Sequence, residues 1–136
     1  MASKNSSGSA APMEFLTPPW MTASPVFCRV TRVNVPQRIY VSGLFGSNTD
    51  PNSGAEVREV FSILQRALDA AGSNLQHLAK GTYYVSDAAV SKTFNDVRPQ
   101  FYDPARPPAA SKAQVAGSGK PPRTLTLDMI AVPKQP

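Results

Sequence analysis

A chain of 136 residues is long enough for one domain with a core and too short for two. With 41% hydrophobic and 17% charged residues it is neither disordered throughout nor fibrous. The net charge of +5 does not mark a nucleic-acid binder, because the basic residues stand singly from Arg29 to Lys134, and one cysteine and one histidine exclude an internal disulfide and a zinc constellation.

Residues 1–24 read as a flexible leader, first Ser, Ala and Gly, then the Pro-rich Leu16-Thr17-Pro18-Pro19-Trp20, whose lone tryptophan is free to dock on the body. Met1 to Ala11 has no apolar segment of the secretory kind, and no run of about 18 apolar residues occurs. Secretion and membrane spanning are therefore not expected, and with Cys28 alone a reducing, cytoplasmic setting is. Order is expected in one domain over 25–133, since the 14 prolines gather outside its middle.

From Val26 the chain turns to β-branched and aromatic residues. Val26 to Val33 and Arg38 to Gly43 are predicted to form a β-hairpin, followed by a loop rich in Gly, Asn and Ser. Ser53 to Gly72 is predicted as a helix: Ser53 and Glu56 have capping-box spacing, and Gly72 is a stop. Val57, Val60, Phe61, Leu64, Leu68 and Ala71 recur on one face.

After a turn carrying His77, Gly81 to Ser86 has strand composition, and Asp87 can cap a second helix reaching to Phe101, with Pro99 shortening or kinking it. Ser111 to Ala116 and Thr124 to Val132 are two further strands around the turn Gly117 to Pro122. The order β-β-α-β-α-β-β implies an α+β sandwich of two layers, with both helices on one face of the sheet. The other face carries many apolar residues, which favours burial in an oligomer.

Several stretches together resemble the Rid (YjgF) family over residues 25–133. They are Ile39-Tyr40-Val41-Ser42-Gly43, the helix end Ala67-Leu68-Asp69-Ala70-Ala71-Gly72, Thr93-Phe94-Asn95, Pro107 to Ala116, and Leu125 to Val132. The resemblance implies a chorismate-mutase-like fold and a homotrimer whose sheets line a central β-barrel, with three clefts between subunits that take a small carboxylate or imine metabolite. It further implies cofactor-free hydrolysis of reactive 2-imino or enamine acids to 2-keto acids and ammonia. Some relatives are reported to cleave RNA, but no basic tract with interleaved aromatics supports that here.

The resemblance also places site residues. The family's substrate arginine, which holds a carboxylate through two parallel hydrogen bonds, is replaced by Ala110. Lys112, two residues on, should share its face and could act as a point-charge anchor, or could be a solvated or inter-subunit charge. Arg106, in the Pro-rich link, could reach over instead. Asp128 stands where the family has a glutamate and could hold the attacking water, or be a paired structural acid. Ser42 and Gly43 could offer backbone groups to a ligand or simply end a strand, and Asn95 could contact it or lie on an exposed helix face. Phe27 could wall the cleft or belong to the core. His77 and Cys28 lack partners for catalysis, and no metal site is expected. The readings are an imine hydrolase, or a non-enzymatic trimer binding a metabolite or a protein partner in the same clefts.

Overall fold

The computed structural model describes residues 11–47, 54–116 and 123–135. Among these residues six strands and two α-helices follow one another: β1 (Met13–Leu16), β2 (Val30–Val33), β3 (Ile39–Phe45), α1 (Ala55–Ala70), β4 (Leu78–Val85), α2 (Ala88–Val97), β5 (Ala109–Gln114) and β6 (Leu125–Ala131). The main sheet has the order β3-β6-β4-β5. Only β4 and β5 run parallel, because α2 carries the chain back across the sheet between them. The α+β expectation, with both helices on one face, is met.

Helix α1 ends as a Schellman motif: Ser73 N–H donates to the Leu68 carbonyl at 2.8 Å, Gly72 N–H donates to that of Asp69 at 3.1 Å, and Gly72 takes φ 82°. Its start departs from expectation. Gly54 is the N-cap at φ 84°, and a Cβ there would stand 2.8 Å from Val97 Cγ2. Ser53 lies outside the described residues, and Glu56 does not reach back to the helix start. It is buried, its Oε1 accepting from the Thr124 hydroxyl. At α2, Asp87 Oδ1 accepts from Val90 N–H at 2.9 Å, and Pro99 turns the expected last part of the helix into a 3-10 turn, Arg98–Gln100.

The apolar stripe of α1 packs with Val90, Phe94 and Val97 of α2 onto Tyr83, Val85, Leu125, Leu127 and Met129. Inside this core the Tyr83 and Tyr102 hydroxyls meet at 2.5 Å, and burial pushes both phenols above their ordinary pKa. The nearby Arg98 charge opposes that rise at both phenols without overcoming it. Tyr83→Phe should leave the Tyr102 hydroxyl buried and unpaired, a loss of about 1–3 kcal/mol. Tyr102→Phe should cost a similar amount, and the double variant less than the sum, as urea denaturation can show. Because both pKa values are raised, the unfolded chain ionises first, and stability should fall as pH climbs past about 10.

The N-terminal part differs from expectation in three ways. Residues 13–16 of the expected leader form β1, paired antiparallel with β2. Met13 and Phe15 alternate toward Val33, Val35, Ala79 and Val132, a second apolar cluster that a structureless segment could not supply. The expected hairpin is absent: β2 pairs with β1, whereas β3 pairs with β6. The strand expected from Val26 starts only at Val30. Trp20 does not dock; it is 83% exposed.

Candidate functional site

Strand β5 lies at one edge of the main sheet, and its register with β4 decides where its side chains go. Ala110 is paired with Gly81 and Lys112 with Tyr83, so both project to the side covered by the helices. Tyr83 continues into the core there, whereas Lys112 stays at the rim, where α2 leaves the edge uncovered. Between strand and helix lies a cavity of about 270 Å³, walled by Phe27, Asn95, Arg98, Ala110, Ser111 and Lys112.

Each wall has a local cause. Phe27 is set by its neighbour Cys28, whose N–H donates to the Pro108 carbonyl at 3.1 Å and which forms a parallel bridge with Ala109. Asn95 projects from α2 and accepts from Lys112 Nζ at 2.7 Å. Its Oδ1 also accepts from Arg98 Nη2 at 3.3 Å. The Lys112 ammonium loses proton affinity, chiefly through partial desolvation and then through the Arg98 charge.

Arg98 was not among the residues read from the sequence. It is 7% exposed, and its guanidinium lies 4.9 Å from the Phe94 ring centroid and 5.3 Å from that of Tyr83. Its Nε is buried without a hydrogen-bond partner. The signal available beforehand was Pro99, which ends the helix and turns the preceding residue inward, but nothing in the spacing distinguishes an inward arginine from a solvated one.

The remaining candidates lie on the opposite face of the sheet. Asp128 is paired with Thr82, and with Tyr40, Ser42, Gly43 and Lys80 it borders a shallow cavity of about 490 Å³. Strand β3 has a register shift between Val41 and Leu44, which carries Gly43 close to β6. A Cβ on Gly43 would lie 3.1 Å from Thr126 Cγ2 and 3.4 Å from Asp128 Oδ1. Within one chain, then, Asn95, Lys112 and Phe27 come together, as do Ser42, Gly43 and Asp128, but the two groups are separated by the sheet.

Arg106 joins neither group. Its Nε donates to the Gln76 carbonyl at 3.1 Å and its guanidinium lies 5.0 Å from the Phe15 ring centroid, holding β1 to the turn before β4. Packing against the N-terminal strand thus removes it from the cleft. His77 Nδ1 pairs with Asn74 Oδ1 at 2.6 Å, and desolvation, with Arg106 and Lys134 nearby, lowers its pKa. Cys28 is buried, its thiol pKa raised mainly by desolvation, and Sγ donates to the Val30 carbonyl at 3.3 Å. Among the described residues no group of three or more His, Cys, Asp or Glu side chains could hold a metal ion, and no helix is long and apolar enough to cross a membrane.

Comparison with known proteins agrees with this architecture. The family model described as Endoribonuclease L-PSP matches residues 23–132. A solved structure of a YjgF-family protein from Neisseria meningitidis superposes with a TM-score of 0.67 at 18% identity, covering 91% of this chain and 97% of that one. The Rid-family protein YyfB from Yersinia pestis gives 0.71 at 15% identity, over 89% of this chain and 98% of that one. RidA from an Antarctic Psychrobacter gives 0.63 at 23% identity, over 73% and 83% of the respective chains. No curated protein matches the sequence. At these identities the structural likeness speaks for the fold alone.

Proposed function

The chain belongs to the Rid (YjgF) family, and from that premise we propose that it hydrolyses small 2-imino or enamine acids to 2-keto acids and ammonia, without a cofactor, as a homotrimer. The observation that carries this reading is the cavity at the β5 edge, where the Lys112 ammonium is held 2.7 Å from Asn95 Oδ1 beside Phe27. A fixed cation and an amide suit the carboxylate end of a small acid, and the aromatic wall suits its carbon chain.

The chemistry needs little beyond orientation and a managed water. Water adds to the electrophilic imine carbon to give a carbinolamine. A proton then passes to nitrogen, the C–N bond breaks, and ammonia leaves the keto acid. Asp128 is suited to orient that water and relay its proton. Because Asp128 lies across the sheet from Lys112, this role requires the open face of one subunit to meet the β5 edge of another. Exposed Tyr40, 74% accessible, and Phe45 on the same flank of the sheet support such a contact. The single free, buried cysteine fits a reducing cytoplasmic setting.

One observation favours a second reading, a trimer that only binds a metabolite: the 270 Å³ cavity has no carboxylate in its own walls. Ammonia release from a freshly generated 2-imino acid, measured above the spontaneous rate, separates the two. Lys112→Ala should remove the acceleration while leaving the assembly, measured by light scattering, unchanged. An unaltered rate in that variant would discard Lys112 as the anchor, and no acceleration by the native protein across several imino acids would leave the binding reading.

A further inference from the structure

We infer that Arg98, from the turn after α2, has become the anion anchor of the β5-edge cavity, clamping with Lys112 the carboxylate of a small organic acid. The inference rests on the reading of this cavity as the substrate site and names the group that recognises the acid.

Two cations face one neutral acceptor. Arg98 Nη2 and Lys112 Nζ both donate to Asn95 Oδ1, at 3.3 and 2.7 Å. No carboxylate lines the cavity, and neither cation takes part in a salt bridge among the described residues. The Arg98 Nε–H is buried and unpaired. A buried guanidinium with an unused donor is costly unless something satisfies it. The Phe94 and Tyr83 rings compensate part of its charge but accept no conventional hydrogen bond.

The geometry also limits the ligand. Ala110, with no more than a methyl group, lines the cavity together with Arg98, and Lys112 lines it from the same strand. A cavity of about 270 Å³ admits an acid of a few carbons, not a nucleotide. One carboxylate oxygen toward Arg98 and the other toward Lys112 would spread the anion over both cations. The lowered proton affinity of Lys112 agrees with a site poised for negative charge.

The test uses 2-oxobutanoate, the keto acid itself, so that binding is read without turnover. Titration calorimetry on the native protein should show binding, with 2-oxobutanamide, which lacks the charge, binding far more weakly. Arg98→Gln should weaken 2-oxobutanoate about 10- to 100-fold, and Arg98→Lys should restore part of the loss. The Lys112 pKa, followed by NMR, should rise when 2-oxobutanoate is added.

Equal binding of acid and amide, or undiminished affinity in a folded Arg98→Gln, would overturn the anchor. If Arg98→Gln does not fold, the Lys112 titration in the native protein decides: no upward shift overturns it equally. Arg98-dependent binding without ammonia release would leave the anchor standing and remove the hydrolase. Ammonia release with a KM unmoved in folded Arg98→Gln would do the reverse.

Discussion

Asp128→Asn should lower the turnover of imino-acid hydrolysis by about 10²-fold or more while leaving affinity for 2-oxobutanoate close to native, since a positioned acid–base group contributes on that scale. Asparagine has the same shape and still offers an oxygen to a water, but it cannot take a proton. The affinity should stay because the walls of the β5-edge cavity are Phe27, Asn95, Arg98, Ala110, Ser111 and Lys112, to which Asp128 does not belong. A loss of affinity with unchanged turnover would remove Asp128 from the chemistry and make it a structural acid of β6. Because Asp128 and Lys112 lie on opposite faces of one sheet, subunit exchange adds a second check. Refolding Asp128→Asn together with Lys112→Ala should regain activity, as some interfaces then combine an intact acid from one subunit with an intact cation from its neighbour. A mixture as inactive as its components would contradict a shared site.

Phe61→Ala should cost about 3–5 kcal/mol, the largest stability loss expected here from a single truncation. Phe61 is fully buried and stacks on Phe101 at 4.6 Å and Phe94 at 6.1 Å, with Tyr102 edge-on at 5.5 Å. Removing its ring takes away the surface that fixes three other aromatics, and a rigid strand and helix on either side cannot close the gap. Chemical denaturation gives the number, and Trp20→Ala, at an 83% exposed position, should stay within about 0.5 kcal/mol. A loss below about 1.5 kcal/mol for Phe61→Ala would mean that the aromatic cluster repacks. Phe94 also lies beneath both Arg98 and Lys112, so the same variant should loosen anion binding even at temperatures where it is folded.

The regular parts of the fold were legible because local rules decide them. Gly72 stops α1 through a left-handed residue, Asp87 caps α2, and the alternation along Leu125 to Ala131 places Leu127 and Met129 inside and Asp128 outside. Strand pairing was not, since the partner of Val30 to Val33 depends on which segment completes an apolar cluster with Ala79 and Val132, a long-range matter. Glu56 was misread for a related reason: its capping-box spacing is local, but the Thr124 hydroxyl that engages it lies 68 residues away. In the site, Lys112 and Asn95 could be named in advance, whereas their meeting at 2.7 Å and the inward turn of Arg98 come from packing. The separation of Asp128 from Lys112 followed from parity along two strands, but only once their register through β4 was known.

Strand β5 is paired with β4 along one side, and along the other only Ala109 has a bridge partner among the described residues, Cys28. Among the described residues the backbone from Ala110 to Gln114 thus offers a template for a further strand, and Lys112 is its one charged residue. An open strand edge carries a self-association hazard that an edge lysine opposes. The side chain that closes the cavity against Asn95 thereby also guards this edge against unwanted pairing.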